Sequence, residues 1–229
     1  MALFKAKANQ SSSVSRVGEG ADVYVKALRD GSLTTAAFFQ AMAMEGRMYV
    51  ANAGSVTTPI TFGAGDITGT EPDLLVEVPS NMVVIPVSFI LNVEAYGTTA
   101  IFQCILSAGK GGSRGAATGG TAVTPVNVRT DAPFASQSTI YSNIDTGTAT
   151  YLTTNAYEFW RDGLQKAVTQ AAADATSPHR LETFAWSAQA TGTYPILVGA
   201  SQLFAFAAGQ AGTGFMTLTY VELPVSAIV

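Results

Sequence analysis

From Thr183 to Val221 the chain carries no Asp, Glu, Lys or Arg; an ionised side chain returns only at Glu222. The stretch nonetheless keeps a pattern. Phe184, Trp186 and Ala188 alternate, as do Tyr194, Ile196 and Val198. Phe215 to Leu223 runs as a strand rich in Thr and aromatic residues. A period of two sends successive side chains to opposite faces of a strand. Both faces of these strands are therefore uncharged, and the chain must fold so that something other than Lys and Glu covers them. A second charge-free run extends from Met48 to Gly65.

Composition makes the same demand on the whole chain. Its 229 residues include 36 Ala, 27 Thr, 22 Gly and 17 Ser, and charged residues make up 12%, about half the ~25% of an ordinary soluble domain. Disorder is excluded, because 48% hydrophobic content with 12 Phe and 8 Tyr supplies a core. A formal charge of −4 argues against a basic nucleic-acid-binding domain. One His and one Cys argue against metal chemistry of the His/Cys type. Cys104 has no internal disulfide partner and is expected in the core beside Phe102, Ile105 and Leu106. No cofactor is expected. The first ten residues lack a signal-peptide apolar run. The longest apolar stretch, Met82 to Val93, is broken by Pro86, Ser88 and Asn92 and falls short of the ~20 residues that span a bilayer. The expectation is a soluble chain made in the cytoplasm, with no export and no membrane span.

Along the chain, residues 1–20 read as a polar arm. Its Lys5, Lys7 and Arg16 meet no acidic neighbour before Glu19. They suit weak, salt-sensitive contact with nucleic-acid phosphates, a simple tail, or an arm exchanged between subunits. A helix is predicted over 33–45, capped by Ser32 or Thr34 and stopped by Gly46. Residues 1–54 are thus grouped as arm and helix, and 55–229 as a β domain. Within that domain, Val56, Thr58, Ile60 and Phe62 alternate, with Pro59 placing the strand at an edge or at its start. Leu74 to Val78 is a short strand. Val87, Phe89, Leu91 and Val93 are expected on one face of a strand over 87–95, and 100–107 to return as the second arm of a hairpin. A Gly-rich loop follows at 108–120. Further strands are predicted near 123–129, 138–142, 148–153 and 203–206. A helix is predicted at 164–175, stopped by Pro178. Eight to ten strands with one or two short helices imply an all-β fold, an antiparallel β-sandwich or barrel.

No constellation signals a reaction, and the chain is read as a non-enzyme. Gly109-Lys110 lacks both the earlier Gly and the following Ser or Thr of a phosphate-binding loop. Gly63 to Gly69 misses the dinucleotide spacing by one residue. His179 stands beyond a predicted helix end without a nucleophile signature. Glu71, Asp73 and Glu77 are the densest acidic cluster and read as a solvated loop and strand start. With Asp66 they offer oxygen ligands but no EF-hand pattern. Trp160, beside Arg161, suits either a stacking platform or a core or interface anchor.

The polar arm, the helix and the Ala-, Gly- and Thr-rich β domain resemble bacteriophage virion structural proteins. Residues 194–200, followed by Gly212-Thr213-Gly214-Phe215 and the strand to Leu223, look like the closing strands of jelly-roll shell subunits. The resemblance covers roughly residues 55–223. It implies a single jelly-roll-like sandwich that self-assembles into or onto a capsid. Its partners would be copies of itself in a trimer or larger lattice, other virion proteins and, through the arm, packaged nucleic acid. The resemblance carries over no catalytic residue. Two alternatives remain: a trimeric decoration, spike or tail protein using loop 108–122, and a carbohydrate-binding β-sandwich.

Overall fold

The computed structural model describes residues 37–63, 67, 69–97, 101–109, 119–144, 156–165, 182–208 and 212–227. A short helix, α1 (Phe38–Met44), leads into β1 (Met48–Ala53). Strands β2 (Ile60–Thr61), β3 (Leu74–Glu77), β4 (Met82–Ala95), β5 (Ile101–Gly109), β6 (Thr121–Val123), β7 (Val126–Asn127), β8 (Thr139–Ser142), β9 (Ala156–Gln165) and β10 (Thr183–Ser187) follow. A one-turn helix, α2 (Ala188–Thr191), then precedes β11 (Leu197–Val198), β12 (Gln202–Ala207) and β13 (Thr213–Pro224).

The strands form two antiparallel sheets. One has the order β10-β4-β13-β1-β7, with β11 added on β4 and β2 on β13; the other runs β6-β8-β3-β12-β5-β9. The fold is an all-β antiparallel sandwich. Its long-range pairings nest. β1 pairs with β13, β3 with β12, β4 with β10, and β5 with β9, as if one long hairpin had been laid down from its ends inwards. Pairing of β4 with β13 and of β5 with β12 then rolls that hairpin into two layers.

The period-two pattern fills the space between the layers. Tyr49 and Ala51 from β1, Leu74 and Val76 from β3, Phe89, Leu91 and Val93 from β4, and Met216, Leu218 and Tyr220 from β13 all lie in one buried cluster. The second sheet adds Phe102, Cys104, Leu106, Leu203 and Ala205. Phe102 is central, with its ring 5.7 Å from Phe62, 5.6 Å from Tyr96 and 5.5 Å from Phe184. Burying aromatic rings in this way is the largest single gain per residue available to such a core. Cys104 is fully buried, as expected.

Several expectations are corrected. Residues 100–107 are not the second arm of a hairpin with 87–95. β5 pairs with β9 and β12 in the opposite sheet, so the chain crosses the sandwich after β4. Val87 does not share a face with Phe89. The β4–β13 register shifts between Thr219↔Ser88 and Tyr220↔Pro86, because Pro86 has no N–H for the ladder and a bulge absorbs the fault. Val87 consequently packs on the outer face. The helix predicted from residue 164 begins inside a strand, where Leu164 of β9 lies opposite Phe102; its remainder lies outside the described residues, as does the strand predicted at 148–153. Tyr194, Ile196 and Val198 point outward, and it is Leu197 that is buried. Val56 is fully exposed at a turn tip, and β2 begins only after Pro59. α1 has Ala37 as its N-cap rather than Ser32 or Thr34, while Gly46 closes it at φ 72°. β1 was not foreseen, although it is an interior strand of its sheet.

Gly214 is where β13 passes closest to its neighbours. A Cβ there would meet the carbonyl oxygen of Asn92 and lie 2.7 Å from the Phe62 ring. Gly214→Ala is therefore expected to cost about 1–3 kcal/mol through forced displacement of the β4–β13 pair, read as a lowered midpoint in urea unfolding.

Candidate assembly surface

The outer face of the seven-stranded sheet falls into two halves. Over the first, α1 lays Phe39 and Met42 on Val83, Ile85, Val221 and Leu223, which are buried although they point away from the sandwich core. Beside α1 lies a groove of about 390 Å³ lined by Ala37, Phe38, Phe39, Ile85, Gln189, Tyr194 and Ile196. The rings of Phe39 and Tyr194 stack with centroids 6.3 Å apart.

Over the second half the described residues leave the sheet face open. Three rungs cross it. The first runs Val126–Val50–Thr219–Ser88–Ser187, the second Asn52–Thr217–Ile90–Ala185, and the third Phe215–Asn92–Thr183. None of these side chains is ionised. Thr217 donates to Asn52 Oδ1 at 2.9 Å and Thr183 to Asn92 Oδ1 at 3.0 Å, so part of the polar capacity is satisfied within the sheet. Ile90 is 37% and Val126 61% exposed. Glu94, next to Thr213 Oγ1, stands at the end of this face.

Ionised groups concentrate elsewhere. β9 forms an edge of the six-stranded sheet and carries Glu158, Arg161 and Asp162. Arg161 reaches Glu158 at 2.7 Å and Gln103 at 2.6 Å. Charge on an edge strand discourages edge-to-edge pairing. The fold therefore guards an edge with charge and leaves three consecutive rungs of a broad face without any.

The predicted site residues are distributed as follows. Lys5, Lys7, Arg16, Asp66, His179 and most of loop 108–122 lie outside the described residues. Trp160 is half-buried and packs against the core, as an anchor does, and Trp186 is buried; neither is a free stacking platform. Among the described residues no cluster of three His, Cys, Asp or Glu side chains is arranged to hold a metal, and no helix is long and apolar enough to cross a membrane.

The acidic cluster is not a solvated loop, and Asp73 is the correction. It is buried, and its carboxylate accepts the N–H of Gly63 at 2.7 Å and of Ala207 at 2.6 Å, fastening three chain segments together. Glu77 accepts from Gln202. Burial pushes the Asp73 pKa up to about 7; the backbone hydrogen bonds oppose that rise and nearby Glu71 adds to it. In the unfolded chain the same group titrates near its ordinary value of 3.8. Between roughly pH 4 and 7 the folded state thus holds a proton that the unfolded state lacks, and stability from this group rises as pH falls through that window. Asp73→Asn is expected to remove this slope, of at most about 1.4 kcal/mol per pH unit, and to lower stability at pH 5, where its amide NH2 faces a backbone N–H that the protonated carboxyl can pair with. Urea titrations of both proteins at pH 5 and pH 8 check this.

Glu222 was not anticipated as a structural group. It shares the inward parity of Met216, Leu218 and Tyr220, and that parity was the available signal. Buried at the end of β13, it accepts Ser136 Oγ–H at 2.5 Å and the N–H of Gln137 at 2.8 Å. Ser136 also shares a 2.7 Å hydrogen bond with the Tyr220 hydroxyl, whose pKa is raised, chiefly by burial.

No protein-family model, curated protein or solved structure matches this chain.

Proposed function

We propose that the chain is a structural subunit of a bacteriophage particle, a jelly-roll-type shell protein whose copies pack against one another in the virion. The observation that carries this reading is the half of the seven-stranded sheet whose outer face the described residues leave open. Three consecutive rungs place Val, Ile, Ala, Thr, Ser, Asn and Phe at the exterior with no ionised side chain among them. Depletion of charge with retained small and apolar residues is the composition of an interface core rather than of a solvated surface. The nested pairing of β1–β13, β3–β12, β4–β10 and β5–β9 supports the jelly-roll part of the reading, since a rolled hairpin of eight strands is that architecture. The mechanism is assembly: each contact is weak, and repetition over symmetry-related copies adds them.

The test is the state of the full-length protein after expression. Sedimentation and negative-stain electron microscopy should show large closed or sheet-like particles. A protein that stays monomeric at high concentration across a range of salt overturns the reading. A stable trimer that builds nothing larger favours a decoration or spike subunit instead.

A further inference from the structure

The seven residues of α1 are fewer than the ~12–15 that hold a helix together alone, so contacts with the sandwich must supply its stability. At its start the N-cap is Ala37, whose methyl group caps nothing, and Phe38 is 50% exposed. At its other end one segment, distant in sequence, makes a set of contacts. Asn127 Nδ2 donates to the Gly46 carbonyl at 2.8 Å and to the Phe134 carbonyl at 3.0 Å, and Asn127 Oδ1 accepts the Arg129 N–H at 2.9 Å. Arg129 in turn donates from Nη1 to the Met44 carbonyl at 2.9 Å, while Asp131 holds its Nη2 at 2.7 Å. Pro133 lies so close to Gly46 that a Cβ there would collide with its ring. The Arg47 guanidinium stands 4.0 Å from the centre of the Phe134 ring. The far end of the same segment is tied to Glu222 through Ser136 and Gln137. Between α1 and β1, Gly46 has φ 72°, a conformation in which glycine lets the chain pivot without strain.

We infer that residues 127–138 are a latch that holds α1 down as a hinged cover, with Gly46 as the hinge. Beneath the cover lie Val83, Ile85, Val221 and Leu223, buried although they face away from the sandwich core. They belong to β4 and β13, the two strands that carry Ser88 and Thr219 of the first uncharged rung. With the latch closed this strip is covered. Release of the latch lets α1 lift while the sandwich stays folded, and the apolar strip then extends the neutral face along β4 and β13. The inference stands independently of the assembly reading, because every contact of the latch lies within one chain.

The test labels engineered cysteines in the full chain; native Cys104 is fully buried, and burial with nearby Asp73 and Asp162 raises its thiol pKa, so it does not compete. Val221→Cys reports the strip beneath α1, and Leu91→Cys, on the inner face of β4, reports opening of the sandwich itself; both parent side chains are fully buried. In the Val221→Cys background, Arg129→Ala should speed reaction with a soluble disulfide reagent roughly three- to tenfold, the size of one lost hydrogen bond read through a local opening. Arg129 is itself exposed, so this variant should fold. Asn127→Ala removes three hydrogen bonds and should speed the reaction by more than about tenfold. In the Leu91→Cys background, Arg129→Ala should change the rate by about twofold or less. An unchanged Val221→Cys rate in either variant would show that the segment does not hold α1, and would overturn the inference. So would a rise at Leu91→Cys equal to that at Val221→Cys, because the helix would then lift only when the whole sandwich opens.

Discussion

Ala185→Lys combined with Thr217→Lys should yield a folded protein that no longer assembles. The two positions flank Ile90 on the second rung, about 10 Å apart across two strand spacings, so their mutual repulsion within one subunit is small. As substitutions on the outer face of a sheet, one exposed and one half-buried, they should change the stability of the isolated subunit by about 1 kcal/mol, including loss of the Thr217–Asn52 hydrogen bond. At a contact between copies the balance differs. Each ammonium would be desolvated without a partner, at a cost of several kcal/mol, repeated at every copy. Sedimentation should therefore shift from large particles to single subunits, while circular dichroism and the thermal midpoint stay close to those of the parent. Ala185→Ser with Thr217→Ser keeps the face neutral and should still assemble. If the lysine variant assembled normally, this face would not be where copies meet.

Glu222→Ala should be the most damaging single substitution outside the aromatic core. Its carboxylate takes the Ser136 hydroxyl and the Gln137 N–H, with the Ser138 N–H at 3.4 Å. Removing it takes the acceptor from the Gln137 N–H and leaves the Ser136 hydroxyl only Tyr220 and the Ser138 N–H only Ser136 Oγ, at about 1–3 kcal/mol for each group left unsatisfied. Opening a path for water relieves part of that. A net loss of about 3 kcal/mol corresponds to roughly 6–12 °C in thermal midpoint for a chain of this size. The segment from Asn127 to Ser138 should loosen first. It would then be held mainly by Asn127, whose amide donates to Gly46 and Phe134 carbonyls, and protease cleavage within 128–138 should rise. A midpoint within 2 °C of the parent, with no new cleavage, would show that the anchor is dispensable.

Much of the fold is legible residue by residue. The alternation of Phe184 and Trp186 and the run from Phe215 to Leu223 fall in β10 and β13, because period two is a local property of extended backbone. The burial of Cys104 follows from its apolar neighbours in the same way. Local information fails where a partner decides. Tyr194, Ile196 and Val198 have a strand pattern, but nothing in their own sequence says that the pattern faces outward instead of into the core. Val87 lies outside because a ladder fault at Pro86, felt only against β13, flips its parity. Asp73 resembles any surface acid until Gly63 and Ala207, distant in sequence, bring their N–H groups to it.

What the amino-acid sequence determined by itself was the class of structure and the character of its exterior. Period-two apolar spacing admits strands, and a chain so poor in ionisable groups has uncharged surface wherever those strands point outward. The partnership of strands was decided only by the tertiary structure. β1 closes on β13, and β5 joins β12 in the sheet opposite β4, since pairing is a long-range choice made by fitting whole faces together, with no trace in local spacing. The same choice gathered neutral residues from β10, β4, β13, β1 and β7 into one continuous face, and so turned a compositional oddity into a surface of definite position.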